Sequence, residues 1–134
     1  MLSQKARYAL RAMLRLASEN RPLPIRSIAE SEHIPRKFLE LILLDLKSHG
    51  LVLSHRGKTG GYELARPPAD ISFADVLRVI DGPLALAPCA SRTAFRRCRD
   101  CPSPETCAIR ATLIEVRDAS AAILEGRTLA PVRS

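Results

Sequence analysis

Three glycines within seven residues, in Arg56-Gly57-Lys58-Thr59-Gly60-Gly61-Tyr62, separate two strand-like segments, Leu51 to His55 and Tyr62 to Ala65. Glycine reaches backbone conformations closed to other residues, so the run implies a tight loop joining a two-stranded ribbon. What precedes the ribbon narrows the fold further. From Ser3 to Ala17 the residues Ala6, Ala9, Leu10, Met13, Leu16 and Ala17 recur at helical spacing. Pro22 and Pro24 break the chain, and Ile25, Ile28 and Ala29 mark a short second helix ending near Ser31. The connection Glu32-His33-Ile34 leads to Pro35, which suits the first turn of a third helix. That helix is expected to run to about Ser48 with Leu39, Ile42, Leu43 and Leu46 buried, and Gly50 closes it. Helix, helix, turn, helix and ribbon, in that order, make a winged helix-turn-helix.

Pro67 and Pro68 end the ribbon, and Ser72 can cap a helix carrying Phe73, Val76, Leu77 and Ile80 that stops at Gly82. Residues 83–106 are rich in proline, arginine and cysteine with no period, which predicts a loop. From Cys107 to Leu124, the residues Ile109, Leu113, Val116, Ser120, Ile123 and Leu124 form one apolar stripe on a long helix. A helix added to an already complete small domain must cover that stripe. It can do so against a second copy of the chain, giving a homodimer, or against its own domain. The expected organisation is a DNA-binding unit at 1–82, a cysteine-bearing loop at 83–106, a dimerisation helix at 107–126 and a tail at 127–134. The fold class is mainly α with a small β-ribbon.

Charge points to a partner. Residues 1–66 hold twelve Lys and Arg against six Asp and Glu, whereas 67–134 hold nine against eight, so nearly all of the net charge of +7 lies in the first half. A surplus placed this way suits a polyanion. No apolar run approaches the roughly 20 residues that cross a bilayer, so no membrane partner is expected. Without a secretory signal the expected compartment is the reducing cytoplasm, where clustered cysteines favour metal ligation over disulfides. No paired-carboxylate, Cys/His or nucleotide constellation suggests an enzyme. Gly57-Lys58-Thr59 echoes a phosphate-binding loop, but Val52 stands where that motif needs glycine.

For duplex DNA, the early exposed positions of the third helix would meet base edges: Arg36, Lys37, Phe38 and Glu40. Arg and Lys can donate to guanine, Glu can accept from cytosine, and an aromatic ring can touch a thymine methyl, although Phe38 suits the core equally well. At the wing, Arg56 or Lys58 can enter the minor groove, with Thr59, Gly60 and Gly61 allowing close approach of the backbone. Ser3, Gln4, Lys5 and Tyr8, opening the first helix, are candidate phosphate contacts.

Four cysteines, Cys89, Cys98, Cys101 and Cys107, fall within nineteen residues, and there are none elsewhere. Thiolates select zinc, copper(I) or iron–sulfur clusters. One close pair flanked by two distant cysteines fits a cluster at least as well as a structural zinc site. Arg92, Arg96, Arg97 and Arg99 in the same loop favour the ligating thiolate form.

Together these residues resemble a known family, the iron–sulfur winged-helix bacterial regulators typified by IscR, NsrR and RirA. The likeness runs through Ser3-Gln4-Lys5-Ala6-Arg7-Tyr8-Ala9-Leu10, Ile28-Ala29-Glu30, Ile34-Pro35, Phe38-Leu39-Glu40, Gly50-Leu51-Val52 and the wing to Leu64, then through Ile71 to Asp81 and the cysteines. It implies a homodimeric transcription factor, often a repressor, on a palindromic operator, with a 2Fe–2S or 4Fe–4S cluster that sets DNA affinity in response to iron, redox or nitric oxide status. By the resemblance, Cys101 and Cys107 match the last two family ligands by their five-residue gap, and Cys89 or Cys98 matches the first. The chain departs from the pattern in having four cysteines rather than three, and Arg110 where some members keep histidine. The alternatives are a DNA-binding regulator with a structural zinc site and a small iron–sulfur redox protein.

Overall fold

A computed structural model of the chain describes residues 2–19, 21–58, 60–84, 90–91, 103, 105 and 107–130. Cys89, Cys98, Cys101 and Thr59 lie outside the described residues.

Helix α1 (Gln4–Ser18) begins at Ser3, whose hydroxyl accepts from Ala6 N and satisfies one of the amides a helix start leaves open. Its buried face, Ala6, Ala9, Ala12, Met13 and Leu16, is mostly alanine, which lets neighbouring helices approach closely. Helix α2 (Ile25–Glu32) ends in His33, held in the left-handed region at φ 54°, where Ile34 N closes onto Ala29 O. Pro35 stands as the N-cap residue of helix α3 (Arg36–Ser48), one position ahead of the first turn where it was expected, and its carbonyl accepts the first helical bond from Leu39 N. The end of α3 is a Schellman motif: Gly50, at φ 78°, donates to Lys47 O, and Leu51 N donates to Leu46 O.

Strands β1 (Val52–His55) and β2 (Gly61–Leu64) pair antiparallel, with Val52 opposite Leu64 and His55 opposite Gly61. The segment between α1 and α2 adds a rung that the prolines concealed: Leu23 and Tyr62 exchange both backbone hydrogen bonds, at 2.9 and 2.8 Å. A β-carbon on Gly61 would collide with the Leu23 carbonyl, and its φ is 143°, so glycine is required where this third segment crosses.

Helix α4 (Phe73–Asp81) starts in a capping box, Ser72 with Asp75, and helix α5 (Ala108–Gly126) follows the cysteine segment with Cys107 as its N-cap residue. One core collects Met13, Leu16, Leu23, Ile28, Ile34, Leu39, Ile42, Leu43, Leu46, Val52, Ile71 and Val76, drawn from α1 to α4, β1 and the segments between them, with Tyr62 and Leu64 of β2 half-buried against it. The chain after α5 returns to it. Phe73 N donates to Arg127 O, Leu129 N donates to Ile71 O, and the Leu129 side chain is buried in the same core. Residues 127–130, part of the expected tail, therefore lie against the start of α4.

Candidate DNA interface and cysteine segment

Helix α3 turns Leu39, Ile42, Leu43 and Leu46 into the core, and this fixes what it shows to the outside. Arg36, Lys37 and Glu40 are exposed on its first turns. Arg36 Nε lies 3.5 Å from Glu40 Oε1 across one turn, with both side chains more than half exposed. A pair of this kind contributes only about 0.3–0.5 kcal/mol, so either partner is readily given up to a phosphate or a base edge.

Phe38 is placed differently. It is half-buried and packs edge-on against Tyr8, with ring centroids 5.5 Å apart and planes at 79°. Of its two expected roles, packing is the one the geometry supports. Tyr8 is in turn half-buried, and the Arg11 guanidinium lies 5.9 Å from its ring centre. Arg11 also donates to the Glu32 carbonyl, bracing the turn that aims α3. Sequence reasoning passed over Arg11. The available signal was its position three residues beyond Tyr8, on the same helical face.

Two other candidates at the start of α1, Ser3 and Lys5, are engaged by other elements of the fold. Lys5 Nζ bonds Asp45 Oδ2 at 2.7 Å, linking α1 to the far end of α3. Ser3 donates to both Asp81 oxygens, through its hydroxyl and its amide, and so ties α1 to α4. Gln4 is exposed. At the wing, Arg56 and Lys58 stand exposed, while Gly60 N donates to Gly57 O at 3.0 Å and closes the turn. His55 Nε2 and Glu63 Oε1, 2.6 Å apart, clamp the two strands at its base.

Of the cysteines, Cys107 lies among the described residues, half-buried at the start of α5. The opposite end of the cysteine segment is moored to the same helix. Ala90, next to Cys89, is fully buried, and its carbonyl accepts from Arg117 Nη1 at 2.8 Å. The Arg117 side chain is only 16% exposed and also bonds Asp118. Arg78 of α4 pairs with Glu125, fixing the last turn of α5.

The six stripe residues of α5 divide between two surfaces. Leu113, Ser120 and Leu124 are half-buried, whereas Ile109, Val116 and Ile123 are 72%, 40% and 65% exposed at seven-residue intervals. That interval keeps them on one line of the helix. None of the helices among the described residues is long and apolar enough to cross a membrane.

Comparison with known proteins gives this arrangement a lineage. The family profile for Rrf2, described as an iron-dependent transcriptional regulator, matches residues 2–133. An rrf2-like HTH-type transcriptional regulator of Rhodobacter capsulatus is 43% identical over 134 residues, covering 96% of this chain and 89% of the relative. The HTH-type regulator CymR of Bacillus subtilis is 32% identical over 135 residues, covering 99% and 89%. Among solved structures, CymR, the global cysteine regulator of B. subtilis, superposes with a TM-score of 0.78 at 33% identity over 96% of this chain and 92% of that one. T. potens IscR gives 0.75 at 29% identity, over 96% and 82%. These relatives are regulators rather than enzymes. With an unbroken family match and a winged helix-turn-helix shared with solved members, the chain belongs to the Rrf2 family of DNA-binding transcriptional regulators.

Proposed function

We infer that the chain acts in the cytoplasm as a homodimeric repressor of a palindromic duplex operator, its affinity set by an iron–sulfur cluster on Cys89, Cys98, Cys101 and Cys107. The observation that carries this reading is the mooring of the cysteine segment to α5 at both ends. Cys107 is the N-cap of the helix, and Arg117 holds the carbonyl of Ala90 beside Cys89. Four thiolates are a donor set suited to a cluster, and the description of the family as iron-dependent favours iron. When bound, such a cluster supplies a group whose presence or oxidation state changes with iron, oxygen or nitric oxide.

The protein residues supply the rest. A rearrangement of the cysteine segment would pull on Cys107 and Arg117 and so shift α5. Through the Arg78–Glu125 pair, that shift reaches α4 and the DNA-binding body. The exposed line Ile109, Val116 and Ile123 suits contact with a second copy, and a change in its seat alters the spacing of two α3 helices. Those helices must stand roughly 34–36 Å apart to enter successive major grooves. Arg36, Lys37 and Glu40 would meet bases, and Arg56 and Lys58 the backbone or minor groove.

The test is anaerobic purification with a visible spectrum and iron, sulfide and zinc analysis, followed by DNA binding with the cofactor present and removed. A brown protein with iron and sulfide, whose DNA affinity differs between the two forms, supports the reading. A colourless protein with one zinc per chain would replace the sensor with a structural site.

A further inference from the structure

We propose that Leu41 and Leu44 read thymine methyl groups on the floor of the major groove, giving the operator half-site its preference for thymine. The inference rests on the α3 docking of the proposed function and adds what that helix selects. Opposite the buried ridge of Leu39, Ile42, Leu43 and Leu46, the helical repeat places Lys37, Leu41, Leu44 and Ser48 along one outward line. Leu41 and Leu44 are each 58% exposed at the centre of that line. Scattered exposed leucines need no explanation, but two on neighbouring turns of the helix that faces DNA form a patch water does not favour.

The surroundings identify its occupant. Arg36 and Lys37 lie on the preceding turn and Lys47 on the following one, all exposed; with Glu40 paired to Arg36 and Asp45 to Lys5, the frame around the leucines keeps a net positive charge from Lys37 and Lys47 that suits a polyanion. Within a duplex, the group matching an apolar side chain in that frame is the C5 methyl of thymine, since every other major-groove marker is a hydrogen-bond donor or acceptor. Leu41 and Leu44 are three residues apart, about 4.5 Å along the axis, close to the step of ~3.4 Å between neighbouring base pairs. Phe38, the apolar residue that the pattern of α3 first suggested for this role, is turned against Tyr8 and leaves the position to Leu41.

Exchanging thymine for deoxyuridine removes the methyl and nothing else, which gives a clean test. Duplexes bound by the full-length protein are selected from a randomised pool, and each thymine of the enriched half-site is then replaced by deoxyuridine. The wild-type protein should lose roughly fourfold in affinity at one or two positions, the worth of about one buried methyl. The paired variant Leu41→Ser with Leu44→Ser should lose at least comparable affinity for the thymine duplex and show no further loss with deoxyuridine, while each single variant should lose the methyl preference at the one position its leucine reads. Both sites are exposed, so the variants keep the fold, which a thermal melt would verify.

A half-site without thymine opposite α3, equal binding of the deoxyuridine duplex, or serine variants that keep the methyl preference would each overturn the inference. So would unchanged DNA selectivity accompanied by loss of a protein contact. If the pool yields no enriched sequence and binding simply fades with salt, the α3 docking itself is wrong, and the methyl reading falls with it.

Discussion

Helices α3 and α5 are both amphipathic, yet they relate to the rest of the molecule in opposite ways. Four large side chains of α3 are fully buried, and the helix is closed at its end by a Schellman motif. Its outward face is consequently free to be chosen for a ligand. In α5, one residue, the small Ala121, is buried, and three large aliphatics stand open. A helix that completes a core can dedicate its surface to recognition. A helix that lacks one borrows stability from whatever covers it, and this makes it responsive to that contact.

The sharpest way to break the comparison is to cut both helices equally. Leu43→Ala should cost about 2–5 kcal/mol in urea unfolding, because a fully buried side chain leaves a cavity. Replacing Ile109, Val116 and Ile123 by Ser should leave the unfolding of the monomer nearly unchanged. It should raise the dimer dissociation constant by more than about 100-fold, read by sedimentation, if the line is an interface. A fully dimeric triple variant would return the stripe to a passive surface.

Next in size is Gly61→Ala, where backbone strain and the clash with Leu23 should cost roughly 1–3 kcal/mol and loosen the wing. Intact DNA affinity in that variant would remove the third rung from the account of the interface. Ser72→Ala should cost about 1 kcal/mol of thermal stability through the lost cap of α4. Lys5→Met, breaking a partly exposed pair with Asp45, should cost less than about 1 kcal/mol. A much larger loss of DNA affinity than of stability there would mean that Lys5 leaves Asp45 for a phosphate.

Legibility in the sequence followed range. Helix α3, with its buried Leu39, Ile42, Leu43 and Leu46 and its stop at Gly50, is written in periodicity and terminal chemistry, and its boundaries come out within a residue or two. The ribbon was readable from its glycines. Contacts between distant segments leave no such mark. Pro22 and Pro24 read as breaks because nothing local announces that Leu23 between them pairs with Tyr62. Ser3 and Lys5 read as candidate phosphate contacts, and their bonds to Asp81 and Asp45 went unseen because those partners lie far along the chain. The stripe of α5 read as one surface because helical period alone cannot tell which edge meets the body and which stays open.

The return of the chain after α5 bears on the order of folding. The hydrogen bonds from Phe73 N to Arg127 O and from Leu129 N to Ile71 O close a long loop that contains the whole cysteine segment. Closing such a loop costs more entropy than joining neighbours, so contacts of this kind form late. The unit of α1, α2 and α3, assembled from helices consecutive in sequence, should therefore be in place before α5 is seated. Pulse-labelled hydrogen exchange would detect this as amides of α1 and α3 protected ahead of Phe73 and Leu129, and simultaneous protection would refute it. Assembly in that order means that α5 and the segment after it are added to a DNA-binding body already made, and can be loosened again without dissolving it.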